Sequence, residues 1–565
     1  MQTRPQYVIG LDFGTSSVRA LLVEVATGRE VADAVQPFPR WDAGQFCDPD
    51  LNQFRQHPLD HLEGLTAAVR EVVALVDDPA QIVALAVDAT GSSPGPVNEQ
   101  GRALGLLPEF AEEPDALFIL WKDHTAVAEA QEINQLARTW GGPDYTAYSG
   151  GVYSPEWFWS KITRIARTNP AVAQAAHSWL EHCDWVTLEL TGQPLASLKR
   201  SRCAAGHKAL WHPSWDGLPS EEFLTQLEPQ LAGLRARLYQ ETYAADEPAG
   251  TLSPEWAAKL GLRPETVVAV GTIDAHAGGV GAGITPYAMV KVMGTSTCDI
   301  VVVPPADLAG RPPVAGICGQ VEGSVVPGLV GLEAGQSAFG DLLAWFEGLL
   351  SWPLAAVLDR ATGLDARQRE ELLLEAERNL LGMLTEAAQA LPFAQSPVLA
   401  LDWVNGRRTP DANLQLQGAL RNLTMGSSAP EVFRALVEAL CYGSRRILER
   451  FEQEGIAIKE IIGIGGVAKK SAFLMQTLAD VLDRRIVVTA SEQAPALGAA
   501  MYAAVAAGCY ENVEAAQQAM GSGFSEEYMP DPARVAAYGA RYAEYLAFGE
   551  FVEATTPGPG GKDEI

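Results

Sequence analysis

Two stretches whose glycines stand 280 residues apart, Gly14 and Gly294, repeat one device. The first is Val8-Ile-Gly-Leu-Asp-Phe-Gly-Thr-Ser-Ser-Val-Arg-Ala-Leu-Leu-Val23, and the second is Met289-Val-Lys-Val-Met-Gly-Thr-Ser-Thr-Cys-Asp-Ile-Val-Val-Val303. Each reads apolar strand, Gly-Thr-Ser turn, apolar strand. Such a turn offers backbone N–H groups and hydroxyls to a phosphate. Two of them on duplicated units point to a phosphate chain held between two domains. The copies differ at one position: Asp12 lies inside the first strand, where the second has Val292.

The chain of 565 residues is too long for a single core, so two to four domains are expected. A formal net charge of -29 argues against nucleic acid or an anionic membrane as partner, but not against a nucleotide, whose charge a cation and local N–H groups offset. No uninterrupted run of 18 apolar residues appears, so no membrane-spanning helix is expected. The start lacks a signal-peptide core. Seven scattered cysteines, none in a CxxC pair, fit a reducing cytoplasm. The eight histidines show no metal-ligand spacing; His177, His182 and Cys183 come closest and lack a fourth partner.

Alternation of apolar residues predicts a three-strand meander over 7–37, a helix over 58–76 and a short strand over 82–87 that runs into Asp88-Ala-Thr-Gly-Ser-Ser-Pro-Gly95. Residues 120–265 hold most of the tryptophans and two expected helices, 124–138 and 155–168; they read as an insertion that builds a specificity surface. Strands are expected near 267–271, 289–303, 325–332, 461–464 and 486–488. Helices are expected over 336–349, 367–390, 429–453, 469–482 and 495–507. The tail after Phe551 reads as frayed.

Asp12 needs a partner, because a buried lone carboxylate is expensive. Beside Gly14-Thr15-Ser16 that partner is Mg²⁺ near phosphates; the plain alternatives are a salt bridge to Arg19 or a turn cap. Gly294-Thr295-Ser296 is the second phosphate turn. Asp274, after the strand 267–271 and before a Gly/Ala-rich stretch, is either a helix cap or a general base for a substrate hydroxyl. Gly465-Gly466 suits a flat platform for an adenine ring, while Pro495–Ala500 is equally explained by helix packing. Trp121-Lys-Asp-His124, Tyr153–Trp159 and Ala204–Lys208 combine aromatic faces with polar groups, as a polyol site does, although the tryptophans also suit a core. Glu333 is a helix cap or a ligand to hydroxyls.

Taken together these segments resemble the FGGY carbohydrate kinases of the actin, sugar kinase and Hsp70 superfamily, over nearly the whole chain. The resemblance rests on Gly10-Leu-Asp-Phe-Gly14, Phe38-Pro-Arg-Trp41, Gly44-Gln-Phe-Cys-Asp48, Leu120–Ala126, Cys203–Lys208, Lys291–Asp299, Gly331–Asp341 and Asp402–Pro410. The Leu120–Ala126 segment and the last two are the most specific, and they are similar to the branch that acts on ribulose. The resemblance implies an α/β fold with two ribonuclease H-like domains flanking an ATP and sugar cleft. The N-terminal domain would span 1–283, the nucleotide-binding domain 284–510, and a helical extension and tail 511–565. It implies transfer of the γ-phosphoryl group of ATP to O5 of ribulose, with Mg²⁺, in the cytoplasm and in arabinose breakdown. Neither nucleic acid nor membrane is an implied partner, and a homodimer is among the assemblies it allows.

By motif position Asp274 is the implied base. Gly95, Trp121, Lys208, Asp274 and Glu333 fall on the sugar side, and Asp12 on the metal side. Gly14, Thr15, Ser16, Gly294, Thr295, Gly335, Gly465, Gly466 and Ser471 fall on the nucleotide side. Ser471 stands where many members have Asn, and Gly95 where Ala is common. The same motifs leave a xylulose, ribitol or glycerol kinase as the alternative, and more remotely a non-sugar ATPase of the actin type.

Overall fold

The computed structural model describes residues 4–392 and 396–556. The chain forms two compact units, and neither is one continuous segment. The first contains Met1–Tyr287, Ile300–Glu333 and Thr489–Gly523; the second contains Ala288–Asp299, Ala334–Val488 and Phe524–Ile565. The chain therefore crosses from one unit to the other several times, beside the sequence-based boundaries at 283 and 510.

The first unit is built on a sheet. Its path runs Pro248–Thr251, Val267–Ala269, Ile82–Ala89, Tyr7–Phe13, Ser17–Glu24 and Glu30–Pro37, with Thr272–Ile273 also paired to Ile82–Ala89. The expected meander is Tyr7–Phe13, Ser17–Glu24 and Glu30–Pro37, paired antiparallel, and the expected strand over 82–87 extends to Ala89. Ile82–Ala89 joins Tyr7–Phe13 in parallel. Central strands covered on both faces read as continuous apolar runs, and residues 8–13 are all buried. Helix Pro58–Val73 lies against the meander. It starts where it does because Pro58 suits the first helical position and His57 Nδ1 accepts the Leu59 N–H at 3.1 Å.

Two small-residue helices of this unit, Asp274–Gly281 and Ala494–Ala506, touch backbone to backbone. A Cβ on Gly281 would lie 1.9 Å from the Ala494 carbonyl oxygen, and one on Gly498 would lie 1.9 Å from that of Ala277. Only glycine permits this approach. Pro495–Ala500 is thus a packing surface of the first unit. The insertion has its own aromatic core: Tyr153, Phe158, Trp159 and Trp179 are all at most 3% exposed. Core packing, rather than an open sugar platform, explains those rings. Its helices begin later than expected, at Val127 and Phe158.

The second unit carries parallel strands Ala288–Met293, Glu460–Ile464 and Ile486–Thr489, with Phe524–Tyr528 beyond the last. Helix Ala429–Gln453 matches its expected span and opens on a capping box, Ser428 with Glu431. The helix expected over 336–349 instead spans Gly340–Asp359. Gln336 is unavailable to it, because its side chain is tied to Asp402 Oδ2 at 2.9 Å, the Leu440 carbonyl at 3.0 Å and Ser444 Oγ at 2.6 Å. Gly340–Asp359 is long and apolar enough to cross a membrane by length and composition alone, but Asp341 and Glu347 break its apolar run, in keeping with the sequence. The helix expected over 469–482 is two helices, Gly466–Lys470 and Ala472–Leu482, split at Ser471. The chain remains helical from Pro532 to Thr555, past the expected fraying point at Phe551, and residues 557–565 lie outside the described residues.

Candidate active site

In the first unit, sheet register assembles a carboxylate corner. Asp12 stands opposite Arg19 on the antiparallel neighbour and level with Asp88 on the parallel one. Arg19 Nη1 donates to Asp12 Oδ2 at 2.9 Å, so the salt bridge weighed as the alternative for Asp12 is present. Asp88, which the sequence reading passed over, is fully buried, and apart from the neighbouring Asp12 carboxyl its oxygens have no hydrogen-bond partner. Burial first, then the charges of Asp12 and Asp274, push its pKa well above the usual carboxylate range. Asp274 opens helix Asp274–Gly281 as its first residue, and its Oδ1 accepts the Ala275 N–H at 2.6 Å. The residue as a whole is half-buried, and desolvation of its carboxyl followed by the Asp12 charge raises the pKa to about 7. The signal for Asp88 was available: like Asp12, it is a carboxylate inside an apolar strand beside a small-residue turn.

This oxygen-only donor set fits Mg²⁺. The test is Asp88, whose buried oxygens have no partner beyond the Asp12 carboxyl and are of the kind a cation or a shared proton relieves.

A second corner of the same unit joins Lys208 and Glu333, 125 residues apart. Lys208 ends helix Arg202–Lys208, whose start is capped by Ser201, and Glu333 lies on strand Val330–Ala334. Lys208 Nζ donates to Glu333 Oε1 at 2.6 Å and Oε2 at 2.9 Å, and it sits 5.3 Å from the Trp157 ring centroid. Both side chains are buried. Breaking such a pair from one side costs about 3–5 kcal/mol, because the other charge is stranded. Lys208 also lowers the Asp274 pKa, after burial, the Asp12 charge and the Ala275 N–H, so the two corners feel one another electrostatically.

Trp121 Nε1 donates to Thr15 Oγ1 at 3.1 Å, and Gln56 Nε2 donates to the Thr15 carbonyl at 2.7 Å. The first turn is thus pinned from two sides. Gly14 N–H closes the turn on the Ser17 carbonyl at 2.9 Å, and Ser16 is exposed. Gly95 lies in strand Pro94–Val97, paired with Ser178–Glu181; a Cβ there would come 2.6 Å from the Phe118 ring. Glycine therefore spares a shift of Phe118 that alanine would force. Nothing in the sequence singled out Lys161 or Glu181. Lys161 Nζ donates to the carbonyls of Ser92 at 2.7 Å and Leu120 at 2.9 Å, while Glu181 accepts from Ser92 Oγ and from the Ser93 N–H. Burial brings the Lys161 ammonium down to about 8. Together they tie the loop before Gly95 to the residue before Trp121.

In the second unit, the Gly294-Thr295-Ser296 turn, Gly335 and the Gly465-Gly466 step converge. Phe339 and Asp341 N–H groups bond the Thr295 carbonyl at 2.7 and 3.2 Å, and Gly340 N–H bonds that of Gly294 at 3.0 Å. Gly335 passes so near Thr297 that a Cβ would lie 2.1 Å from its carbonyl oxygen. Gly465 has φ +93° and packs on Met293, and a Cβ on Gly466 would meet open space. The Ser471 hydroxyl caps Ala472–Leu482, accepting the Leu474 N–H at 3.4 Å. Much of the Lys291–Asp299, Gly331–Asp341 and Asp402–Pro410 signature builds the core of this unit. Lys291 Nζ pairs with Asp299 at 2.9 Å and Gln336 at 3.3 Å, and Tyr545 donates to Asp402 at 2.7 Å.

Known proteins match the chain over nearly its whole length. The model of the FGGY family of carbohydrate kinases, N-terminal domain, matches residues 7–281, and that of the C-terminal domain matches 289–507. A ribulokinase of Vibrio parahaemolyticus is 47% identical over 98% of this chain and 97% of its own. A ribulokinase of Shouchella clausii is 38% identical over 96% and 94%. Among solved structures, a xylulose kinase from Rhodospirillum rubrum superposes with TM-score 0.74 at 21% identity, covering 97% of this chain and 99% of that one. A Plasmodium falciparum glycerol kinase solved with ADP gives 0.71 at 13%, covering 98% and 99%. At such identities the two structures speak for the fold alone.

Proposed function

Because the chain belongs to the FGGY family of carbohydrate kinases, we propose that it transfers the γ-phosphoryl group of ATP to O5 of ribulose, giving ribulose 5-phosphate and ADP. Full-length likeness to ribulokinases supports the sugar. The observation that carries the chemistry is Asp274, a carboxyl held at about 7 in the same unit as the Lys208–Glu333 pair.

Phosphoryl transfer asks little covalent work of a protein; it needs alignment, charge neutralisation and exclusion of water. A base that titrates near neutral pH is matched to accepting a hydroxyl proton late in transfer. Asp274 orients the sugar hydroxyl and takes that proton. Lys208 and Glu333 bind ribulose hydroxyls as donor and acceptor, with Trp121 and the backbone at Gly95 beside them. Gly14, Thr15 and Ser16, with Gly294, Thr295, Gly335 and Gly466, contact ATP. Mg²⁺, when bound, neutralises phosphate charge, and Asp12 and Asp88 would hold it. In this reading Ser471 supports the nucleotide helix as a cap.

The chain works in a reducing, cytoplasmic setting, consistent with seven free cysteines among the described residues. ADP release measured against a panel of pentuloses and polyols tests the reading. Ribulose should give the highest kcat/KM. Preference for xylulose, ribitol or glycerol would replace the sugar but keep the chemistry; ATP hydrolysis indifferent to every sugar would overturn both.

A further inference from the structure

We propose that His207, His276 and Glu333 form a binding site in the first unit for a soft divalent cation of the Zn²⁺ class. One donor atom from each lies within 4.8 Å of the others. His207 Nδ1 is 3.4 Å and His276 Nε2 is 3.6 Å from the same oxygen, Glu333 Oε2. These separations are too long for good hydrogen bonds. They are close to the edge of a tetrahedron around Zn²⁺, about 3.4 Å for bonds of about 2.0–2.1 Å.

The imidazoles need such a partner. His207 and His276 are each 1% exposed, and neither His207 Nδ1 nor either ring nitrogen of His276 has a hydrogen bond. Natively, buried polar atoms are nearly always satisfied. His207 Nε2 lies 3.0 Å from Ser324 Oγ; with that nitrogen as donor, Nδ1 keeps its lone pair for a metal. A Cβ on residue 319 would lie 2.1 Å from His207 Nδ1, so only glycine fits against that ring. Two imidazoles and one carboxylate favour Zn²⁺ over Mg²⁺, which prefers oxygen. These ligands are far apart in sequence, which is why histidine spacing gave no sign of them.

The cation must share Glu333 with Lys208, which holds Oε1 at 2.6 Å and Oε2 at 2.9 Å. A dication on Oε2 therefore opposes the Lys208 ammonium. Where Lys208 and Glu333 bind ribulose, which rests on the function proposed above, metal and sugar compete.

The test uses the full-length protein, stripped with a chelator and titrated with Co²⁺ as a spectroscopic stand-in for Zn²⁺. One equivalent should give intense visible ligand-field bands that Zn²⁺ abolishes. His207→Gln and His276→Gln should each weaken binding at least ~10-fold, with folding checked by thermal melting. X-ray absorption of the wild-type Zn²⁺ complex should show imidazole scattering from two histidines, and it remains decisive if the variants do not fold. Absent bands, unchanged affinity in both folded variants, or no histidine scattering would each overturn the site. Added ribulose should raise the apparent Kd for Co²⁺. Metal binding indifferent to ribulose leaves the site standing and removes Lys208 and Glu333 from the sugar. Ribulose turnover without any Co²⁺ binding removes the site and leaves the proposed function intact.

Discussion

The two Gly-Thr-Ser turns have the same local sequence and opposite surroundings. The first is bordered by charge: Asp12 with Arg19, Asp88 level with it, and Trp121 and Gln56 bonded to Thr15. The second turn itself meets mainly backbone: Gly294 and Thr295 carbonyls accept N–H groups from residues 339–341 at the start of Gly340–Asp359, and Gly465 packs behind Met293, while the Lys291–Asp299 pair in its flanking strands is buried. A phosphate turn is therefore only half a device. Its neighbours decide whether carboxylates or mainly backbone groups stand beside it.

The largest effect should come from the group that makes the first surroundings chemical. Asp274→Ala should lower kcat by at least ~10² while ribulose still binds, as loss of a general base does. Near-normal turnover would end the distinction drawn between the two turns. Next is the matched pair of changes at Asp12 and Val292. Asp12→Asn should raise the Mg²⁺ midpoint or lower Mg²⁺-dependent turnover by about tenfold or more, in keeping with removal of a charge beside a phosphoryl-transfer site. Val292→Asn should leave the Mg²⁺ titration where it was. Equal shifts in both variants would erase the asymmetry.

The third contrast is in pH. The folded Asp274 carboxyl titrates at about 7 against an ordinary 3.8, so the native state retains a proton that the unfolded chain has lost. Its contribution to stability is thus fully present below about 3.8 and falls as pH rises to about 7; Asp88 acts in the same direction. The acidic limb of kcat/KM should fall near pH 7, because catalysis needs the carboxylate. Asp274→Asn should flatten that part of the stability profile measured by denaturant titration. The smallest effect belongs to the second unit. Ser471→Ala should cost about 1 kcal/mol of stability, as lost helix caps do, with the KM for ATP unchanged. A raised KM without loss of stability would make Ser471 a nucleotide contact after all.

Legibility in the sequence followed range. Residues 7–37 form their expected meander, and Ala429–Gln453 keeps its expected ends, because period and caps are local properties. The helix at 336–349 moved because Gln336 is held by Leu440 and Ser444, about a hundred residues away, and no pattern near Gln336 records that. The same is true of Lys161 and Glu181, whose partners are carbonyl, hydroxyl and N–H groups that any residue or serine supplies.

By itself the sequence determined two duplicated strand–turn–strand halves, a carboxylate inside the first, and Asp274 at the start of a small-residue helix. Only the tertiary structure decided that Asp12 faces Arg19 and Asp88, that Lys208 meets Glu333 with two imidazoles behind it, and that 489–523 returns to the first unit. The physical reason is that apolar periodicity is written residue by residue. The partner that makes a buried charge affordable comes from whichever strand or helix the fold brings alongside.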